Sequence, residues 1–158
     1  MTMDNILLRN AAPDDASALL AVHQASIRTL GREAYTDIEC ESWAYGLTPR
    51  GYVKAMDLGE TFIAAICADA VVAFCSYIDG EIVGLFVHPD WSRQHVASDL
   101  LSEVEERIRR SGFRRTALDA AASAVRFYQA AGYVTEGRTH WTTRGGIDLS
   151  SYRMTKDL

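Results

Sequence analysis

Cysteine is scarce in this 158-residue chain: Cys40, Cys67 and Cys75 make an odd number with no CxxC spacing. Such a set in apolar surroundings excludes a disulfide framework and leaves reduced, buried thiols. Proline occurs three times, and lysine is rarer still, since fourteen of the sixteen basic residues are Arg. No apolar run approaches the roughly 20 residues that a membrane-spanning helix needs. Repeats, linkers and low-complexity stretches are absent too. The opening Met1-Thr2-Met3-Asp4-Asn5 has neither a basic n-region nor an apolar h-region, so the expectation is a cytoplasmic protein with no membrane partner. A net charge of −5 argues against nucleic acid as a partner.

What is present is ordinary for a globular protein: 48% hydrophobic and 23% charged residues. Disorder, collagen and coiled coil are thereby excluded, and the length predicts one domain spanning residues 1–158. The charge is unevenly placed. Residues 1–79 hold five Lys/Arg against eleven Asp/Glu, while residues 80–158 hold eleven against ten. That split suits a cationic ligand on one side and an anionic one on the other, or equally a chance scatter of solvated charges.

Periodicity predicts twelve elements. Ile6–Arg9 reads as a strand. Pro13-Asp14-Asp15 opens a helix whose apolar stripe is Ala16, Leu19, Leu20, His23 and Ile27. Thr36-Asp37-Ile38-Glu39 is a capping box before a second helix carrying Cys40, Trp43, Ala44 and Leu47. Thr48-Pro49 starts a third. Residues 60–68, 70–78 and 81–88 are apolar and β-branched, broken by Asp69 and Asp79-Gly80, and so form an antiparallel meander. A long helix then carries Val96, Leu100, Leu101, Val104 and Ile108 on its core face. Its outer face shows the pairs Glu103/Arg107, Glu105/Arg109 and Glu106/Arg110. Residues 116–120 form a strand, Ser123 caps a helix over 124–131, and a last hairpin joins 133–143 to 147–154. The resulting β-α-α-α-β-β-β-α-β-α-β-β order is an α+β, or mixed α/β, architecture.

Chemistry concentrates where the strand at 81–88 turns into the long helix. Such a junction presents unpaired N–H groups and a positive dipole end, which suit a pyrophosphate. Phosphate loops generally use glycine, and Trp91-Ser92-Arg93-Gln94-His95-Val96-Ala97-Ser98 has none. Physics alone leaves an anion cradle and a plain strand–helix connection both open. His23, His88, His95 and His140 have no ligand spacing, so no metal site is expected.

Three segments together resemble the GNAT superfamily of acetyl-CoA-dependent N-acetyltransferases. Gly84-Leu85-Phe86-Val87-His88-Pro89-Asp90-Trp91 is similar to that family's fourth strand and its exit. Ser92 to Leu101 occupies the place of its Q/R-x-x-G-x-G/A loop, with Ser92 and His95 departing from the pattern. Leu118 to Tyr133, with Phe127-Tyr128 and Gly132-Tyr133, is similar to its L-E-A-S-x-N-A-x-x-F-Y-x-x-x-G-F/Y frame.

The resemblance implies a central, mostly antiparallel, twisted sheet of about seven strands flanked by helices and splayed between the fourth and fifth strands. It implies acetyl-CoA as co-substrate and a small-molecule or peptide amine as acceptor. Leu85, Phe86 and Val87 would offer backbone to the pantetheine. Arg93, Gln94, His95, Val96, Ala97 and Ser98 would hold the pyrophosphate. Ser123 would offer a hydroxyl, or serve only as a cap. Tyr128 would be the general acid, or a packing aromatic beside Phe127, and Glu81 would be the base, or an exposed hairpin residue. His88 is a further candidate base or acceptor contact. Trp43, Tyr35 and Trp141, with Tyr45 and Tyr77, would line the acceptor pocket, and Glu39, Glu41 and Glu81 would attract a cationic amine. Edge strands at the last hairpin suit a homodimer. The alternative reading is a GNAT-fold coenzyme-binding or regulatory module without turnover.

Overall fold

The structure, a computed structural model, describes residues 5–92 and 95–158. Its strands are β1 Leu7–Asn10, β2 Thr61–Cys67, β3 Ala70–Ile78, β4 Glu81–Val87, β5 Arg115–Ala121, β6 Val134–Thr142 and β7 Asp148–Asp157. Its α-helices are α1 Ala16–Thr29, α2 Asp37–Ala44, α3 Pro49–Asp57, α4 Val96–Arg110 and α5 Val125–Ala130. The chain order matches the order read from periodicity. All seven strands join one sheet, ordered β1-β2-β3-β4-β5-β7-β6. Every pair is antiparallel except β4 with β5. Among the described residues, no helix is long and apolar enough to cross a membrane.

Local chemistry explains the element ends. Thr36 accepts from the Glu39 N–H at 3.2 Å while Glu39 accepts from the Thr36 N–H at 2.9 Å, the reciprocal box that opens α2. Thr48 caps α3 in the same way, accepting from the Gly51 N–H at 3.3 Å. Two-residue turns, Ala68-Asp69 and Asp79-Gly80, close the meander. Ala68 and Asp69 sit at φ 48° and 66°, the left-handed geometry that matches the strand twist.

One face of the sheet buries Ile63, Ala65, Cys75 and Val87 under Leu100, Leu101, Val104 and Ile108 of α4 and Tyr128 of α5. The other packs Phe62 and Phe74 against Leu19 and Val22 of α1 and Tyr52 of α3. All three cysteines are buried, and none forms a disulfide. Three readings need correction. In α1, Val22 and Ser26 are buried, while Leu20 and His23 are only partly so. Glu105 turns inward to accept from the Tyr133 hydroxyl at 2.7 Å and pairs with Lys156 at 3.1 Å, so Arg109 bonds Glu106 instead. Ser123 is not a cap, because a 3-10 turn over Ala122–Ala124 precedes α5 and makes Ala124 the N-cap.

The feature that positions the site is the join between β4 and β5. Among the described residues they pair only at Glu81↔Ala117. On its other edge, β4 pairs Gly84 with Ser76 and Ile82 with Tyr77, leaving Val83 as a bulge. A bulge bends its strand and raises its twist. From Ile82 onward the β5-facing edge of β4 therefore carries no strand partner, and its backbone groups are free to bond a ligand.

Candidate functional site

Two clefts open at this splay. The first, about 480 Å³, lies on the α1/α3 face between Trp43, Tyr52, Phe62, Phe74, Phe86 and the hairpin residues His140, Trp141 and Arg144. The second, about 370 Å³, runs past Leu85, Phe86, Val87, Ser92, Ala97, Ser123 and Phe127. Trp43, Leu85, Phe86, Ala121, Ala124 and Tyr128 line both, so the clefts meet at the open end of the β4–β5 gap.

The second cleft gathers most of the residues expected to hold coenzyme. Val96, Ala97 and Ser98 form the first turn of α4, whose backbone N–H groups lack an intrahelical partner. Ala97 faces the cleft, while the Val96 side chain is buried in the core. His95 stands just before α4 at φ 62°, the left-handed region. That explains why glycine suits the position in the resembled loop. Histidine is among the residue types that tolerate it, at some cost. Arg93 and Gln94 lie outside the described residues.

Tyr128 is buried, packs edge-on against Phe127 and Tyr133 at 5.1 and 5.5 Å, and stands where the clefts meet. Burial pushes its phenol well above the ordinary value, so it stays protonated at neutral pH.

The acceptor-side expectations divide. Trp43 stands at the centre of an aromatic wall, edge-on to Trp141 at 5.7 Å, Tyr35 at 5.8 Å and Phe86 at 6.1 Å. Trp141 lines the first cleft as expected. Tyr35 does not line either cleft. Its buried hydroxyl donates to the Ser150 carbonyl and accepts from the Ala122 N–H at 3.0 Å, tying α2's approach to β7 and to the segment before α5. Tyr45 is exposed, and Tyr77 packs on the α4 face of the sheet.

Glu81 lies at the closed end of the splay, in an ion pair with Arg153 and outside both clefts. His88 is spent locally: its Nδ1 accepts from the Asp90 N–H at 3.2 Å, again outside both clefts. Glu39 is used in its capping box, and Glu41 pairs with Arg28 at 3.0 Å on the surface. The acids that do face the first cleft are Glu60 and Asp119.

Sequence reasoning missed Glu60, Ser76, Asp119, His23, Tyr52 and Arg144. One signal was available: a histidine inside the apolar stripe of α1. His23 Nδ1 bonds the Tyr52 hydroxyl at 2.8 Å, its ring lies 3.9 Å from that of Phe86, and its buried Nε2 has no partner among the described residues. Burial, aided by Arg144, lowers its pKa to about 4. Arg144 reaches the cleft because the β6–β7 turn docks on α2, with its guanidinium donating to the Gly46 carbonyl at 2.9 Å. Among the described residues, no cluster of His, Cys, Asp or Glu has metal-holding geometry.

A sheet splayed between parallel β4 and β5, with a helix N-terminus beside the gap and two clefts meeting there, defines a GNAT-type acyltransferase. The comparisons agree. The family model described as Acetyltransferase (GNAT) domain matches residues 32–156, and the chain belongs to that family. It is 27% identical over 150 residues, 95% of either chain, to the uncharacterized N-acetyltransferase YafP of Escherichia coli (strain K12). It is also similar to a GCN5-related N-acetyltransferase structure from Rhodopseudomonas palustris, at 29% identity and a TM-score of 0.91, covering 100% of this chain and 99% of that one. The fold recurs in the PaiA N-acetyltransferase of Thermoplasma acidophilum, solved in complex with coenzyme A. That match has 19% identity and a TM-score of 0.79, covering 98% of this chain and 99% of the other.

Proposed function

We propose that the chain transfers the acetyl group of acetyl-CoA directly to a primary amine, with Tyr128 as general acid. The observation that carries this is the meeting of the two clefts at Leu85, Phe86, Ala121, Ala124 and Tyr128. One cleft has the features a coenzyme arm needs: a strand edge without a partner strand and a helix N-terminus beside it. The other is aromatic, with carboxylates, and suits an amine.

Bound acetyl-CoA would supply an activated acyl thioester whose sulfur must leave with a proton. The free backbone of Leu85, Phe86 and Val87 orients the pantetheine. The first N–H groups of α4, with the loop through Arg93, Gln94 and His95, hold the phosphates, and Ser123 lies on the same wall. Trp43 and Trp141 cover the acceptor and exclude water. The amine attacks as its neutral form, its ammonium proton having passed to solvent. As the C–N bond forms and the C–S bond breaks, Tyr128 gives its proton to the leaving sulfur and takes back the proton that the amine nitrogen loses.

Two measurements test this reading. Acetyl-CoA at 100 times its Kd should add about 2.7 kcal/mol of stability. For a chain of this size that is a rise of about 5–10 °C in Tm. Free thiol should then appear with members of an amine panel. Tyr128→Phe should keep the thermal shift and lose roughly 10²- to 10⁴-fold in kcat. No shift at millimolar acetyl-CoA, or unchanged turnover in Tyr128→Phe, overturns the corresponding part.

A further inference from the structure

The two carboxylates on the acceptor cleft are in different states. Asp119 is exposed on β5, with Arg153 at 3.5 Å. Glu60 lies partly buried between Gly59 and β2. Among the described residues it forms no ion pair, and the hydroxyl of buried Ser76 is its hydrogen-bond donor. Burial pushes its carboxyl above the ordinary range. A part-buried carboxylate without a counter-cation is costly to keep charged and gains strongly from a cation brought to it.

The surroundings suit an organic cation. The rings of Tyr52, Phe62 and Phe74 form one cluster on the cleft wall, with centroids 5.9–6.2 Å apart. Ring faces attract ammonium groups. Glu60 pairs with none of the basic groups on this cleft among the described residues: His23 is held neutral by burial, Arg144 donates to the Gly46 carbonyl and directs its charge at His23, and His140 is on β6. Phe62, Ser76 and Gly84 stand in register across β2, β3 and β4. A cation at Glu60 beside Ser76 therefore lies about one strand spacing, roughly 4.8 Å, from the strand where the clefts meet. Gly84 adds no side chain of its own, and the Phe86 ring lies over it. His140, Trp141 and Arg144 of the last hairpin line the same cleft.

We infer that Glu60 is the acceptor-recognition group, binding the cationic head of a small primary amine with an apolar body. This rests on the acyl-transfer reading of the cleft, and its test does not require turnover. Binding is measured on coenzyme A-loaded protein by calorimetry, with phenethylamine as the cationic probe and 2-phenylethanol as its neutral counterpart. The wild type should bind phenethylamine at least tenfold more tightly than 2-phenylethanol. Glu60→Gln should weaken phenethylamine at least tenfold, leave 2-phenylethanol within twofold, and preserve the coenzyme-induced thermal shift.

Equal binding of amine and alcohol by the wild type overturns the inference, as does no amine binding at all. So does a Glu60→Gln variant that binds the amine within twofold of wild type. The wild-type comparison of the two probes stands by itself if the variant fails to fold. Glu60-dependent amine binding without thiol release from acetyl-CoA would retain this inference and overturn the acyl-transfer reading instead.

Discussion

Gly145, at the tip of the β6–β7 hairpin, should be nearly intolerant of a side chain. A Cβ built there lies 3.1 Å from the Ser42 Cα and closer still to its Oγ. Backbone cannot yield cheaply, and Ser42 is itself committed, since its hydroxyl shares a short hydrogen bond with Thr143. Ser42 and Thr143 are 8% and 4% exposed, so neither can turn to water. Gly145→Ala must push the hairpin off α2 or break that bond. Leaving a buried hydroxyl unsatisfied costs about 1–3 kcal/mol, and overpacking costs about as much again. The expected loss is about 2–6 kcal/mol, or a fall in Tm of roughly 4–24 °C for a chain of this size. Ser42→Ala alone should cost about 1 kcal/mol, because Thr143 still accepts from the Ile147 N–H at 3.1 Å. The double variant Ser42→Ala/Gly145→Ala should cost less than the sum of the singles by about 1 kcal/mol, since the hydroxyl that clashes is gone. Chemical denaturation of the four proteins reads the cycle. Strict additivity, or Gly145→Ala melting within 1 °C of wild type, would refute the docking argument. The same displacement would move Arg144 and Trp141, so acceptor KM should rise more than acetyl-CoA KM.

His95→Gly should relieve the left-handed residue before α4. The gain of about 1 kcal/mol in strain is partly offset by glycine's unfolded-state entropy, so the expected result is a small rise in Tm and tighter acetyl-CoA binding. A fall in both would refute the assignment of strain to this position. Ala68→Asn with Asp69→Gly places the preferred residues in the β2–β3 turn and should stabilise by about 1 kcal/mol in a denaturant melt. His23 supplies a pH prediction. Its folded pKa of about 4 lies below its unfolded value near 6.5, so the unfolded state binds the extra proton and stability falls as pH drops from about 6.5 toward 4. The loss approaches 3 kcal/mol at 1.36 kcal/mol per unit, and His23→Phe should remove that part of the pH profile. An unchanged profile in His23→Phe would count against it.

The fold was legible because its signals are local. The capping box at Thr36–Glu39, the core stripe of α4 and the two tight turns each act within a few residues. The element order therefore follows from the sequence, and the boundaries agree to within a few positions. The placement of candidate site residues was legible only where it is tied to their own segment. Phe127-Tyr128 and the strand at Leu85–Val87 lie in segments with a recognisable frame, and both arrive at the splay. Glu81 and Tyr35 have roles set by partners far along the chain: Arg153 on β7 takes the first, and the Ser150 carbonyl takes the second. Glu60 was missed for the same reason. Nothing in Gly59-Glu60-Thr61 separates a cleft carboxylate from a solvated strand opener until Ser76 and the aromatic rings are brought around it.

The uneven charge of the two halves does not map onto the two clefts as composition suggests. Two acids of the first half, Glu41 and Asp37, pair at the surface with Arg28 and Arg32, and the members of both pairs are about half exposed or more. Exposed pairs are screened by water and salt and contribute little at a distance. A ligand inside the cleft responds instead to the few groups that share its low-dielectric surroundings. In the first cleft these are Glu60, Arg144 and a histidine kept neutral, and beside the second the N-terminal turn of α4. On the acyl-transfer reading, the field at a ligand thus follows from groups inside the clefts rather than from net charge. Neutralising Glu41 or Asp37 should accordingly leave amine affinity within twofold of wild type, whereas neutralising Glu60 should not.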